Sequence, residues 1–218
     1  MYLALRVIKL ARVENPAGSS GSSLLADCPA GVRFVAGHRG IRLVMVLAFT
    51  MSLCIRPLLD LMPGLADTVF NRPTEGLATL MSAFGIGAMV GSVWIANRNR
   101  LTGTTTIALA GVSISAALNI VFAAVPIYPV AIAVAALLGF TAALGFNSSQ
   151  ILVQNAAAGP MRARVMGLYA YNFQGVPALG AMLMGGASHY FGLQAPVIVG
   201  GALCLAATGW VWARHGQV

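Results

Sequence analysis

The stretch "LTGTTTIALAGVSISAALNIVFAAVPIYPVAIAVAALLGFTAALGFNSSQILVQNAAAGPM", residues 101–161, contains no Asp, Glu, Lys or Arg. A second stretch without these residues covers 165–213, and only 8% of the 218 residues in the chain are charged. A helix of about 20 apolar residues is long enough to cross the ~30 Å hydrocarbon core of a bilayer. The two stretches therefore predict a protein that crosses the membrane several times.

Turn-forming residues divide the apolar sequence into segments of membrane-spanning length. Helices are expected because backbone amides in lipid must be hydrogen-bonded within their own segment, and the alternation typical of a barrel is missing. We expect an all-α membrane protein with a cytoplasmic amphipathic and linker segment at 1–42 and a six-helix transmembrane bundle at 43–214. The predicted spans are 43–63, 76–96, 104–125, 127–150, 165–188 and 193–213.

Lys and Arg are distributed unequally between the two sides of this six-span arrangement. One side carries only Arg72, and the other carries Arg6, Lys9, Arg12, Arg33, Arg39, Arg42, Arg98, Arg100, Arg162, Arg164 and Arg214. Loops rich in Lys and Arg stay on the cytoplasmic side of a membrane. We therefore expect a multi-pass protein of the inner (plasma) membrane with both termini in the cytoplasm.

The positive charge of the chain is not arranged for binding nucleic acid. The formal net charge is +8, but the basic residues stand singly or in pairs beside apolar segments, without interleaved aromatic residues. The cysteines and histidines are too widely spaced to predict a metal site; they are Cys28, Cys54, Cys204, His38, His189 and His215. We expect no nucleic-acid partner, no metal and no cofactor, and we interpret the cysteines as small buried hydrophobic residues.

The candidates for a catalytic nucleophile are Ser148 and Ser149 in the stretch "GFNSSQ", with His189 as a possible base. A membrane serine protease needs such a pair within hydrogen-bond reach. Neither serine is followed by the glycine of the usual nucleophile turns, and the predicted spans place His189 near the opposite membrane face. We therefore expect no catalytic residues and no enzymatic activity.

The stretch "CIRPLLDL", residues 54–61, places two opposite charges, Arg56 and Asp60, inside an apolar span. Residues four apart share one face of a helix, so each charge can reduce the cost of burying the other. Pro57 also leaves the carbonyl of Leu53 without its helical donor. Two interpretations stay open: a pair that reaches the outer membrane boundary, or a charged cavity site for substrate or proton coupling.

Two groups of uncharged polar residues occur in the fourth and fifth predicted spans. They are Asn147, Gln150 and Gln154 in the fourth span and Tyr169, Asn172 and Gln174 in the fifth. Each group has helical spacing, and each is either a cavity wall that hydrogen-bonds a substrate or a set of bonds between helices. Pro177 follows the second group, and we expect it to bend its helix.

Three stretches resemble the second half of the major facilitator superfamily, and in particular its exporter branch with enterobactin and macrolide efflux proteins. They are "AGVRFVAGHRGIRLV" at 30–44, "GIGAMVGSVWIANRNRLTG" at 85–103 and "QILVQNAAAGPMRARVMGLYAYNFQGVPALGAMLMGG" at 150–186. The resemblance implies a twelve-helix transporter in two halves, with substrate held between the halves near the bilayer midplane. Since six spans are predicted, we expect an N-terminal half or a second copy of the chain as partner.

The resemblance also assigns a loop motif between the second and third spans. Its residues here are Gly91, Asn97, Arg98, Arg100 and Gly103. The family commonly has Asp where this chain has Asn97, so Asn97 can accept hydrogen bonds but cannot form a charged latch. It stays open whether Arg98 and Arg100 belong to such a latch or only fix the topology. Gly91 lies four residues after Gly87, a spacing that lets a neighbouring helix approach closely.

The function that follows from the resemblance is secondary active transport, with efflux of a hydrophobic or amphipathic small molecule. We expect the substrate cavity or coupling site to involve Arg56, Asp60, Asn147, Gln150, Tyr169 and Asn172. The alternative is a truncated or half-size membrane protein that transports nothing by itself and acts as an interaction subunit.

Overall fold

The structure, a computed structural model, describes residues 33, 35–98, 103–157 and 162–215. All regular secondary structure of these residues is helical. The bundle consists of α1 (Arg39–Cys54), α2 (Pro57–Thr68), α3 (Glu75–Ala96), α4 (Thr104–Ala124), α5 (Tyr128–Ala156), α6 (Arg162–Phe191) and α7 (Gln194–His215). The predicted linker with Cys28 and the loop residue Arg100 lie outside the described residues.

Five helical units of the described residues are long and apolar enough to cross a membrane. They are Gly40–Thr68, Glu75–Ala96, Thr104–Ala124, Tyr128–Ala156 and Gln194–Arg214. Helix α6 has 30 residues, but its polar residues lower its mean hydropathy, and it is not among the five. The prediction of an all-α membrane protein is confirmed, whereas the number of six spans stays a prediction.

The first membrane-spanning unit, which was predicted as one continuous span at 43–63, is divided into two helices. Helix α1 ends at Cys54, and α2 begins at Pro57. Proline cannot donate a backbone hydrogen bond, so a helix tends to break or restart where it occurs. At this junction the backbone N–H of Arg56 donates to the carbonyl of Met51 at 3.2 Å, five residues back instead of four. Residues 55–56 therefore form a junction between two shorter helices.

Helix α5 is the central element, and glycines set its distance from α3. A methyl group at Gly87 would collide with the carbonyl group of Ala136, and one at Gly139 would collide with the carbonyl of Phe84. The two glycines thus allow the backbones of α3 and α5 to meet directly, as in other membrane helix pairs with small residues at the interface. The two helices run in the same direction, since the tyrosine hydroxyl at the start of α5 donates to the carbonyl of Gly76 at 3.2 Å.

Helix α4 packs antiparallel to α5 on the other side. Gly111 of α4 faces Gly145 of α5, where an added methyl group would come within 2.6 Å of the Gly145 nitrogen. One turn further, the hydroxyls of Ser115 and Thr141 are 3.0 Å apart. Both hydroxyls are buried and also contact backbone carbonyls of their own helices. Small residues and this hydroxyl pair therefore hold α4 against α5.

The junction between α1 and α2 is packed against two further helices. A methyl group at Gly180 of α6 would come within 2.5 Å of the Pro57 ring and would overlap the Leu53 carbonyl. A methyl group added at Gly200 of α7 would lie 3.1 Å from the carbonyl oxygen of Cys54. Helices α6 and α7 therefore contact the junction through backbone atoms on both sides.

Candidate functional site

Arg56 lies at the junction between α1 and α2 and is half-buried. Its guanidinium carbon is 4.3 Å from the centroid of the Phe173 ring of α6, which is the geometry of a cation–π contact. Asp60 is exposed, and among the described residues no ion pair joins it to Arg56. The pairing that the four-residue spacing allowed is therefore not formed, because an aromatic ring of another helix holds the guanidinium instead.

Phe173 belongs to a row of aromatic rings between α6 and α5, which we call the aromatic row: Phe173, Phe146 and Tyr169. The Phe173 and Phe146 ring centroids are 4.1 Å apart, and the Phe146 and Tyr169 centroids are 5.8 Å apart. The hydroxyl of Tyr169 donates to the backbone carbonyl of Phe146 at 3.3 Å. Arg56 thus stands at one end of an aromatic surface that extends across two helices.

The polar residues predicted in the fourth span are only partly available to a ligand. The amide nitrogen of Asn147 donates to the hydroxyl of Ser92 in α3 at 3.0 Å, so Asn147 joins two helices. Gln150, one turn further, is half-buried, and no hydrogen bond to its side chain is found in the part of the chain that the structure describes. Asn147 therefore forms a bond between helices, and the cavity roles of Asn147 and Gln150 stay predictions.

Tyr169 and Asn172 lie inside the bundle. Tyr169 is 3% exposed and Asn172 is 8% exposed, and their part in a substrate cavity stays a prediction. Both are buried because α6 packs this face against α1 and α5. The Oδ1 atom of Asn172 has no hydrogen-bond partner among the described residues, so its amide is not used as a bond between helices.

A polar residue that the sequence analysis did not single out is Asn119 of α4. Its side chain is 0% exposed, and neither its Nδ2 nor its Oδ1 atom has a partner among the described residues. The only signal in the sequence was a single amide within an apolar helix. Ser148 of α5 is also buried with an unpartnered hydroxyl. These groups carry an energetic cost, because a buried polar atom without a hydrogen bond loses its interaction with water.

The loop motif has a structural role at its two ends. A methyl group added at Gly91 would lie 2.6 Å from the carbonyl oxygen of Phe140. Gly91 therefore belongs to the contact between α3 and α5. Asn97 is exposed and ends α3, while Arg98 lies over the Trp94 ring with its guanidinium carbon 5.8 Å from the centroid.

Gly103 directly precedes α4 and has a φ angle of +83°. Glycine adopts this left-handed conformation without steric cost, which explains its place after the arginine-containing loop. Pro177 is buried within α6, and that helix continues from Arg162 to Phe191 on both sides of it. The bend expected at Pro177 stays a prediction.

Two cavities of the bundle lie away from these residues. One of about 520 Å³ is at the arginine-rich end between α1, α4, α5 and α7, and it is lined mainly by apolar residues with His38 and Thr105 at its edge. The other, of about 460 Å³, is lined by apolar residues of α1, α6 and α7 beside Gly180 and Gly200. Neither of these two cavities is lined by Arg56 or by the aromatic row.

The described residues contain no group of three or more His, Cys, Asp or Glu side chains that is able to hold a metal ion. Cys54 and Cys204 are buried and unbridged, in agreement with their interpretation as small hydrophobic residues. Ser148 lies in the second half of α5, whereas His189 lies in the last turn of α6. The chain runs in opposite directions through these two helices, so the serine and the histidine are far apart.

The comparison with protein families agrees with this architecture. The model of a major facilitator family described as transmembrane secretion effector matches residues 2–215. No curated protein and no solved structure matches the chain. The matched region includes every helix of the bundle, the loop motif and the aromatic row. The chain therefore belongs to the transmembrane secretion effector family of major facilitator transporters and is a multi-pass membrane protein.

Proposed function

We propose that the chain forms one wall of a secondary active transporter that exports a hydrophobic or amphipathic small molecule. The family match supports a transporter. The observation that carries the site is the position of Arg56, a half-buried cation on Phe173 at a helix junction inside a membrane-spanning unit. Ionisable groups within membrane helices are costly and usually serve a substrate or ion pathway. The resemblance of 150–186 supports the exporter branch that includes enterobactin and macrolide efflux proteins.

The residues that we propose for the substrate wall are Arg56 at the junction and Gln150 of α5. Arg56 and Gln150 are half-buried and keep donors that no described residue uses. Asp60 is exposed on α2 one turn after Arg56 and is the proposed site of proton coupling. Tyr169 and Asn172 are buried and are proposed to support this wall, Tyr169 through its ring contact with Phe146.

The proposed transporter is completed by a partner. Transport by alternating access requires two halves that move around a site between them, and this bundle supplies one wall. The partner is an N-terminal half or a second copy of the chain in the same orientation. We also propose that the protein lies in the inner membrane with both termini in the cytoplasm, on the side of the arginine-rich end.

The test is reconstitution of the purified chain into liposomes with a fluorescent hydrophobic dye and a proton gradient. The mass of the protein in detergent is measured first, so that monomers and dimers are compared separately. We expect gradient-driven dye movement from a dimer, or after addition of a complementary half, and none from the monomer. Movement by a demonstrated monomer overturns the need for a partner, and absence of movement in every arrangement overturns transport.

A second candidate function is an interaction subunit without transport of its own. It is favoured by Asn147 and Tyr169, whose polar atoms bond other helices instead of facing a cavity. The same reconstitution separates the two functions. Formation of a stable complex with a complementary half, without dye movement above protein-free liposomes, supports the subunit.

A further inference from the structure

The positive charge of Arg56 lies deep within the membrane-spanning unit. Helix α1 has 16 residues and α2 has 12, so at 1.5 Å per residue the junction is about 24 Å from the start of α1 and about 18 Å from the end of α2. The guanidinium is therefore far from both ends of the unit, and a charge at such a position usually has a partner group or faces a water-filled cavity.

The described part of the chain supplies no anion for this charge. Asp60 is exposed and not paired with Arg56, Asp67 is exposed near the end of α2, and Glu75 begins α3 at the same end of the bundle. The contact that the structure gives Arg56 is the face of the Phe173 ring. A ring face attracts a cation through its quadrupole but does not neutralise a full charge.

The contact with Phe173 leaves the edge of the guanidinium unused. Arginine has five N–H donors in its plane, and stacking on a ring covers only the face of that plane. No hydrogen bond from the Arg56 side chain to another described residue is present, although the backbone N–H is bonded. The edge is therefore free to bind both oxygens of a carboxylate, sulfonate or phosphate group, which is the geometry that arginine favours.

The surroundings of Arg56 also define what should be attached to the anionic group. Phe173 and Phe146 are 4.1 Å apart and present an apolar, aromatic surface beside the cation. Such a surface suits a flat or hydrophobic body, and a positive charge disfavours a cationic one. We propose that Arg56 and Phe173 bind the anionic group of an amphipathic anion and so select anionic substrates. This inference rests on the proposed transport function for its purpose, but the binding site itself is separately testable.

The experiment compares two probes that share one aromatic body. 1-Anilinonaphthalene-8-sulfonate carries a sulfonate, whereas N-phenyl-1-naphthylamine is neutral and otherwise equivalent. Both are titrated by fluorescence against the full chain in lipid nanodiscs of phosphatidylcholine. For Arg56→Gln, we expect the Kd of the sulfonate probe to rise at least tenfold, about 1.4 kcal/mol, while the Kd of the neutral probe changes less than twofold. Arg56→Lys should keep most of the affinity for the sulfonate.

The matched control is Arg72→Gln. Arg72 also lies over an aromatic ring, with its guanidinium carbon 5.1 Å from the centroid of Tyr128, but it is exposed outside the membrane-spanning units. We expect this substitution to change the Kd of neither probe by more than twofold. An equal loss of affinity for the sulfonate probe in both arginine variants overturns the proposal, because it shows a general effect of surface charge. An equal loss of affinity for both probes in Arg56→Gln also overturns the proposal, since Arg56 then does not recognise the sulfonate group.

Competition on the unmodified chain keeps the proposal testable if Arg56→Gln does not fold. Benzenesulfonate should displace the anionic probe, and benzylamine at the same concentration should not; equal displacement by the two overturns the proposal. A lipid headgroup as the anion is distinguished by adding phosphatidylglycerol to the nanodiscs. Loss of the sulfonate probe's advantage in that lipid overturns a small-molecule substrate in favour of an anionic lipid.

The proposed transport and the anion site fail in different ways. Gradient-driven movement of neutral and cationic dyes, with no preference for anions in binding, refutes the anion site and leaves transport intact. Selective binding of the sulfonate probe without dye movement in any arrangement refutes transport and leaves the anion site intact.

Discussion

Gly87→Ala should separate α3 from α5, because the added methyl group would meet backbone atoms that cannot rotate away. It would collide with the Ala136 carbonyl oxygen and come within 2.8 Å of its carbon and 3.0 Å of the Phe140 nitrogen. Contacts between a carbon and an oxygen normally have a separation of about 3.3–3.6 Å, so the helices must move apart. Gly139 presses on α3 in the same way from α5, and a shift therefore loosens that contact too.

The expected change in the free energy of unfolding is the difference between two opposing effects. Overpacking of a tight interface costs about 1–3 kcal/mol, and backbone contact puts this case at the upper end. Alanine regains about 1 kcal/mol over glycine within a helix, which leaves a net loss of about 2 kcal/mol. For a chain of this size, such a loss lowers the melting temperature by about 4–8 °C. The assay is thermal unfolding of the purified protein in detergent, followed by intrinsic fluorescence.

Gly85→Ala is the matched control for this prediction. Gly85 lies in the same helix two residues earlier, and nothing is within 4 Å of where its methyl group would be. We expect the melting temperature of Gly85→Ala to stay equal or rise slightly through helix propensity. Equal melting temperatures for the two variants would refute the reasoning, because the close contact of α3 and α5 would then carry no energetic weight.

Three further predictions concern buried polar groups and topology. Asn119→Leu should raise the melting temperature, because it removes two buried polar atoms without partners and keeps the number and branching of side-chain heavy atoms, a gain of about 1–3 kcal/mol; an unchanged or lower melting temperature would contradict this. In a double-mutant cycle of Asn147→Leu and Ser92→Ala, followed by unfolding, we expect a coupling of about 0.6 kcal/mol, and independent effects would contradict the bond. In intact cells, an impermeant thiol reagent should label a cysteine introduced at Arg72 but not one at Arg98, with Cys28, Cys54 and Cys204 substituted first; the opposite pattern would reverse the proposed orientation.

The sequence was sufficient for the helices because the physics of the bilayer leaves few alternatives. Long uncharged stretches must be helical when their amides have no water to bond, and the helices fall close to the predicted ranges. The effect of Pro57 was partly foreseen from the loss of its N–H. The division into two helices at 55–56 was not, and Gly180 and Gly200 pack closely against this junction.

The site was harder to predict because the direction of a side chain depends on several helices together. The spacing of Arg56 and Asp60 allowed a pair, but the competing partner, Phe173, lies more than a hundred residues later in the chain. The polar character of Asn172 was visible, yet whether it faces a cavity or the bundle interior depends on how α6 rotates against its neighbours. The lone Asn119 gave no pattern at all, since helical periodicity requires at least two residues.

The glycine contacts at the junction of α1 and α2 have a mechanical consequence. Gly180 meets Leu53 on one side of the junction and Pro57 on the other, and Gly200 meets Cys54 from a second helix. The start of α2 therefore cannot move towards α6 without displacing the α6 backbone. A tilt of α2 in that direction moves α6 as well. Because Phe173 belongs to α6, such a tilt moves Phe173 together with Arg56. The contact between the guanidinium and the ring is then kept during the movement.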